Sequence, residues 1–185
     1  MSKPLSKIVR WVLVALAVAL LACLIIGNRK GRRMSQCVIA FPDSLECIYD
    51  GIALTRHLDV AAPPAYKLVM VVDSLQCSYC KIGRLQRYKD LFEESLEEGK
   101  FDLVVILSPK RGEAESLREF LLAHDFSLPI YLDSGNTFLG MNRCIPSDVD
   151  YHSFLLDASG HAVFIGDPLK GNRSYKKFER LIGQD

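Results

Sequence analysis

Residues 66–80 read YKLVMVVDSLQCSYC, and Ile82, Leu85, Tyr88, Leu91, Phe92 and Leu96 then recur at helical spacing. The run Tyr66 to Val72 is continuously apolar and β-branched, which suits a strand buried on both faces, and Asp73-Ser74 end it. The apolar period that follows places Cys77 and Cys80 at the opening of a helix running to about Glu98, where Gly99 supplies the stop. A strand passing straight into a helix at a C-x-x-C pair is the decisive local pattern, and the rest of the chain is read outward from it.

Downstream, FDLVVILS reads as a strand, GEAESLREFLLAHD as a helix, LPIYLD as a strand and NTFLGMNR as a short helix. HSFLLD and HAVFIG flank Ala158-Ser159-Gly160 as a β-hairpin, and a terminal helix is expected from about Ser174 to Ile182. Alternating βαβ units closed by a hairpin predict an α/β/α sandwich with a central mixed sheet. Upstream, residues 34–65 read as a lead-in arm carrying one strand at CVIAF, followed by turn-rich sequence and AAPPAY. The expected organisation is thus a membrane anchor with basic flank over 1–33, the arm over 34–65 and one domain over 66–185.

Trp11 to Gly27, WVLVALAVALLACLIIG, carries no charge and lies between Lys3, Lys7 and Arg10 on one side and Arg29, Lys30, Arg32 and Arg33 on the other. This predicts one N-terminal transmembrane helix, uncleaved because a basic cluster follows at once and no small-x-small site ends the run. Leu20-Leu21-Ala22-Cys23 also resembles a lipoprotein box, so the tether is either a single span or a lipidated Cys23. Cations flank both ends about equally, so the positive-inside rule does not orient the segment. Across the chain 23 Lys and Arg face 22 Asp and Glu, which gives no electrostatic reason to expect a nucleic-acid partner.

The chemistry expected of the pair follows from its position. The N-terminal end of a helix offers unpaired N–H groups and a positive dipole, which stabilise a thiolate. Cys77 is then the nucleophile and Cys80, one turn on, the group that resolves the mixed disulfide. A zinc site would need a second close pair of ligands, and His57, His124, His152 and His161 are scattered, so no metal is assigned. No diffusible cofactor is expected either. Asp73 reads equally as a strand-end turn former or a proton-transfer group. Cys37 and Cys47 are a possible disulfide in the arm, Cys144 a possible third redox cysteine or a small buried hydrophobe. His152 reads as an edge-strand polar side chain, with thiolate tuning or metal binding as the alternative, and Phe92, Phe101, Phe120 and Phe154 as core.

The order of strand, CSYC, long helix, βαβ and hairpin resembles the thioredoxin-like superfamily. The series VDSLQCSYC, FLLD and IGDP is similar to the anchored TlpA and peroxiredoxin-like (AhpC/TSA-type) branch found in Bacteroidetes. The resemblance covers about residues 66–183. It implies a thiol-disulfide oxidoreductase acting on extracytoplasmic protein disulfides, regenerated by a membrane-associated electron donor. The family's cis-proline would fall at Tyr151, so either Pro146 serves in its place or Tyr151 packs against the sulfurs. The position of the usual buried acid holds Val71, and that of the usual Trp before the first cysteine holds Gln76. Two further function classes use the same cysteines: a thiol peroxidase, although residues 70–77 read MVVDSLQC and not Pro-x-x-x-Thr-x-x-Cys, and a copper or haem-maturation chaperone with soft thiolate ligands.

Overall fold

A computed structural model describes residues 3–73, 78–124 and 126–183, the side chains of 3–8, 24, 28 and 78–81 excepted. Seven strands form one mixed sheet: β1 (Leu45–Tyr49), β2 (Ile52–Arg56), β3 (Tyr66–Val72), β4 (Phe101–Leu107), β5 (Ile130–Leu132), β6 (Ser153–Leu156) and β7 (Ala162–Ile165). Their order is β2-β1-β5-β4-β3-β6-β7. The pairs β3/β4 and β4/β5 are parallel, and all other pairs are antiparallel. The helices are α1 (Lys3–Ser35), α2 (Ser78–Leu85), α3 (Lys89–Glu98), α4 (Ala114–Ala123), α5 (Thr137–Met141) and α6 (Asn172–Ile182).

Strand β3 is the centre of both cores because its side chains alternate. Val69 and Val71 point into a cluster with Val104, Ile106, Phe138 and Phe154. Leu68 and Met70 point the other way, against Leu85, Phe92, Phe101 and Phe178 from the α2, α3 and α6 side. Val72 joins Ile82, Leu117 and Leu121 of α2 and α4. The sheet is therefore covered on both faces, which is what a continuous apolar strand requires. Phe92, Phe101 and Phe154 are buried as read from the sequence, while Phe120 packs at the margin.

Three readings change. The expected long helix is broken by a 3-10 turn, Gln86–Tyr88, before α3 resumes and ends on Gly99, whose φ of 64° and N–H to Ser95 carbonyl make the expected stop. Apolar spacing runs unbroken across that turn, so periodicity alone does not see it. The arm's CVIAF segment is not a strand. Val38 makes an isolated bridge to His161, Ile39 donates to the Gly160 carbonyl, and Ala40 is held by Asn142. Gly160 is required there: a Cβ on it would lie 2.9 Å from the Ile39 carbonyl oxygen, and its φ is +82°. The arm's strands are instead β1 and β2, a hairpin closed through Asp50-Gly51, both at positive φ, and added to the sheet through β5.

Helix α1 runs through the basic cluster to Ser35. Val9–Ser35 is long and apolar enough to cross a membrane, and its described apolar side chains from Val9 to Ile26 are exposed. Its last turns rest on the domain: Met34 is fully buried and the Tyr151 hydroxyl donates to the Gly27 carbonyl at 2.9 Å.

Candidate active site

The parallel strands β3, β4 and β5 end at one edge of the sheet, on Asp73, Ser108 and Asp133, all buried. Ser108 and Asp133 are consumed by structure. Ser108 N–H donates to the Val72 carbonyl, and the Asp133 carboxylate accepts from the amides of Thr137 and Phe138 at 2.8 and 2.9 Å, seating α5. Asp73 differs, because the chain leaves β3 there and α2 starts five residues later, at Ser78. The backbone thus carries Cys80 in the first turn of a helix that begins just past the end of a central strand. Cys77 itself lies outside the described residues.

Beside this junction a cleft of about 840 Å³ opens between the end of β3 (70–72), the second half of α2 and its 3-10 extension (83–88), the turn before β6 (149–153) and the turn after β7 (166–170). One wall is fixed by a three-way contact. Arg87 donates to the Asp167 carboxylate and, at 2.8 Å, to the Tyr88 hydroxyl, which itself donates to Asp167 at 2.7 Å. Burial is the main cause that pushes the Tyr88 phenol well above its usual range, so it remains a donor at all ordinary pH. Asp167 also accepts from the Leu169 amide, which orients the turn after β7. Across the mouth, Lys170 and Asp150 pair at 3.3 Å, both well exposed.

At the floor, two ionisable side chains meet. His152 and Asp73, each 4% exposed, approach to 3.7 Å between Nδ1 and a carboxylate oxygen. His152 Nε2 lies 3.0 Å from the Pro146 carbonyl, an oxygen that only accepts, so Nε2 carries a proton. Its Nδ1 then has no hydrogen-bond partner among the described residues, and neither does the hydroxyl of the following residue, Ser153. His152 also positions the backbone, its carbonyl accepting from Val71 N–H at 2.7 Å. A carboxyl and an imidazole at this distance, out of water, can hold and exchange a proton four residues before Cys77.

This architecture matches solved structures. An exposed lipoprotein thioredoxin from Streptococcus pneumoniae aligns over 75% of this chain and 97% of its own, with 13% identity and a TM-score of 0.52. The thioredoxin domain of a thiol-disulfide oxidoreductase from Bacteroides vulgatus aligns over 79% and 96%, with 19% identity and a TM-score of 0.52. The fold is thioredoxin-like. A cysteine-to-serine variant of the PrxQ protein from Xylella fastidiosa also aligns, over 80% and 94%, with 13% identity and a TM-score of 0.50. No family model matches the sequence, and no curated protein matches it.

Within the thioredoxin-like frame, the residues read from the sequence separate into two groups. Asp73 and His152 lie at the junction with α2, and the burial of His152 corrects its reading as an exposed edge-strand side chain: it caps the end of the 3-10 turn Val149–Tyr151 before β6, where strand alternation does not yet apply. Tyr151 and Pro146 are not on the cleft wall. Tyr151 turns to the opposite face and α1, and the only cis peptide among the described residues is Pro63–Pro64, so Pro146 is trans and acts through the bond its carbonyl accepts from His152. Cys144 is also on the α1 face, half-buried against the Val69 and Phe154 cluster, away from the cleft. Cys47 is buried in β1 beside Tyr131 and is not bonded to Cys37; burial raises its pKa above the usual thiol value. Among the described residues no three His, Cys, Asp or Glu side chains gather as a metal-ligand set.

Proposed function

We propose that this chain is a membrane-anchored thiol-disulfide oxidoreductase that exchanges dithiols with protein disulfides outside the cytoplasm through Cys77 and Cys80. The observation that carries the reading is the placement of a C-x-x-C pair where a central strand of a thioredoxin-like sheet passes into a helix, beside an open cleft. In the reductive direction, the Cys77 thiolate attacks one sulfur of a substrate disulfide and expels the other as a thiolate. Cys80, deprotonated, then attacks the Cys77 sulfur and releases the second substrate thiol, leaving a Cys77–Cys80 disulfide. Two electrons and two protons have passed to the substrate. A membrane-associated dithiol donor returns them by the reverse exchange, and a stronger oxidant would run the cycle the other way. The Asp73 and His152 pair is suited to take the Cys80 proton. The apolar α1 supports the tether, and the FLLD and IGDP hairpin supports placement near the TlpA branch.

The test is a redox titration of the full chain in detergent, with thiol trapping and mass spectrometry. A reversible Cys77–Cys80 disulfide, disulfide-reductase turnover that falls to the uncatalysed level in Cys77→Ser, and covalent trapping of partners by Cys80→Ser are the expected results. Peroxide consumption without disulfide turnover would replace this reading with a thiol peroxidase, and stoichiometric copper retention without turnover would replace it with a metal carrier.

A further inference from the structure

We propose that Cys37 and Cys144 are a second thiol pair, which closes into a structural disulfide fastening the end of α1 to the loop between α5 and β6. The Cys37 thiol neighbours that of Cys144 although the sequence holds them far apart. Their backbones are pinned in that relation. The Asn142 side chain grips Ala40 at both ends, accepting from its N–H at 3.0 Å and donating to its carbonyl at 2.8 Å. Met34, Ile39 and Ile145, flanking the two cysteines, are buried in one cluster. Cys37 N–H bonds the Met34 carbonyl, and its thiol donates to the Arg33 carbonyl at 3.3 Å, so the residue extends the last turn of α1 toward Cys144. Two neighbouring thiols on restrained segments need little backbone movement to bond.

The oxidant is another disulfide, small or protein-borne. The half-exposed Cys37, as thiolate, attacks one of its sulfurs and expels the other as a thiol; Cys144 then loses its proton to solvent and attacks the Cys37 sulfur, releasing the second thiol. The two cysteines lose two electrons and two protons, and the oxidant's disulfide becomes two thiols. Burial first, and then the neighbouring Cys37 thiol, push Cys144 up to about 11. A thiol of high pKa is a poor leaving group, so this disulfide, once formed, is reduced slowly. That separates it in kind from the exchange expected of Cys77 and Cys80, and it does not depend on their activity. Its consequence is mechanical: the membrane helix and the domain become one covalently closed unit.

The full chain in detergent, treated with oxidised glutathione, alkylated with N-ethylmaleimide and digested with trypsin without reduction, tests this. Cleavage after Arg33, Arg56, Arg143 and Lys170 should yield peptide 34–56 linked to peptide 144–170. Because 34–56 also contains Cys47, the link should persist in Cys47→Ala and vanish in Cys37→Ser. Dithiothreitol should open it about tenfold or more slowly than the Cys77–Cys80 disulfide. Alkylation of both Cys37 and Cys144 after oxidation, a link through Cys47, or a link from Cys144 to the peptide holding Cys77 would overturn the proposal. Opening as fast as Cys77–Cys80 would overturn the structural role.

Discussion

At the start of β3 the buried Lys67 donates its ammonium to the carbonyls of Ala62 and Pro64 at 2.6 and 2.5 Å and pairs with Asp102 at 3.1 Å; at the end of the same strand, Asp73 and His152 stand 3.7 Å apart, and Nδ1 has no hydrogen bond among the described residues. Both ends bury ionisable groups, yet every Lys67 N–H finds an acceptor while His152 Nδ1 finds no hydrogen-bond partner among the described residues. A saturated buried charge fixes geometry, since every competing arrangement loses hydrogen bonds. A buried imidazole nitrogen without such a bond keeps a lone pair open to a proton and contributes less to holding the fold. The difference teaches where in this sheet to look for structure and where for chemistry, and it coincides with the direction of the parallel strands, whose C-terminal edge carries the C-x-x-C junction.

The largest effect should come from the saturated end. Lys67→Met keeps the aliphatic bulk but strands the Ala62 and Pro64 carbonyls, while the half-exposed Asp102 relaxes into water. Urea unfolding should show a loss of about 2–3 kcal/mol, and the rate of Cys77–Cys80 exchange in the folded fraction should stay at the wild-type level. A loss below about 1 kcal/mol would mean that the contacts of Lys67 do not hold β3, and the contrast would collapse.

At the other end the expectation inverts. Asp73→Asn is close to isosteric and removes one proton-holding group, so stability should move by less than about 1 kcal/mol, while the exchange rate should fall about ten- to a hundredfold, with a flatter pH profile. The profile is the informative reading, because a residue that merely packs would lower stability and leave its shape intact. His152→Gln, which can still donate to the Pro146 carbonyl, should flatten the same profile. If Asp73→Asn instead cost as much stability as Lys67→Met at an unchanged exchange rate, both ends would be structural.

Much of this frame was readable in the residues. β3 was bounded correctly from Tyr66 to Val72, because a continuous β-branched run with a turn residue behind it has few alternatives in an α/β chain. The hairpin β6/β7 and the Gly99 stop followed from equally local chemistry. What local pattern could not reveal depended on partners distant in sequence. CVIAF has the composition of a strand, but its backbone groups bond Gly160 and Asn142, so it is held in place without a ladder. The β1/β2 hairpin did carry a signal, Asp50-Gly51 between LECIY and IALTR, which a search for two-residue turns would have found. His152 was assigned by alternation to the surface, and nothing near it in sequence marks Asp73 as its neighbour. The nearness of Cys37 to Cys144 is of the same kind: spacing offers Cys47, and the fold supplies a residue beyond α5.

The smallest effect sharpens the comparison on the neighbouring strand. β6 pairs antiparallel with β3, so its far end, Leu156 opposite Lys67, lies on the saturated side. There Asp157 accepts from Ser159 N–H at 2.9 Å, Ser159 hydroxyl at 2.7 Å and His161 N–H at 3.0 Å, closing the turn into β7. Burial alone would raise its pKa, but these hydrogen bonds outweigh it and hold the carboxyl below the usual value. A carboxyl depressed in the folded state stabilises the fold above its unfolded pKa of about 3.9, and that contribution is lost as pH falls through the lower folded value. Asp157→Ala should therefore cost about 1 kcal/mol at neutral pH, and the gap to wild type should close in acid, whereas the penalty of Lys67→Met should persist there. A gap for Asp157→Ala that stayed constant down to the acid limit would assign its role to chain stiffness in the turn and leave Lys67 as the sole saturated charge at that edge of the β3/β6 pair.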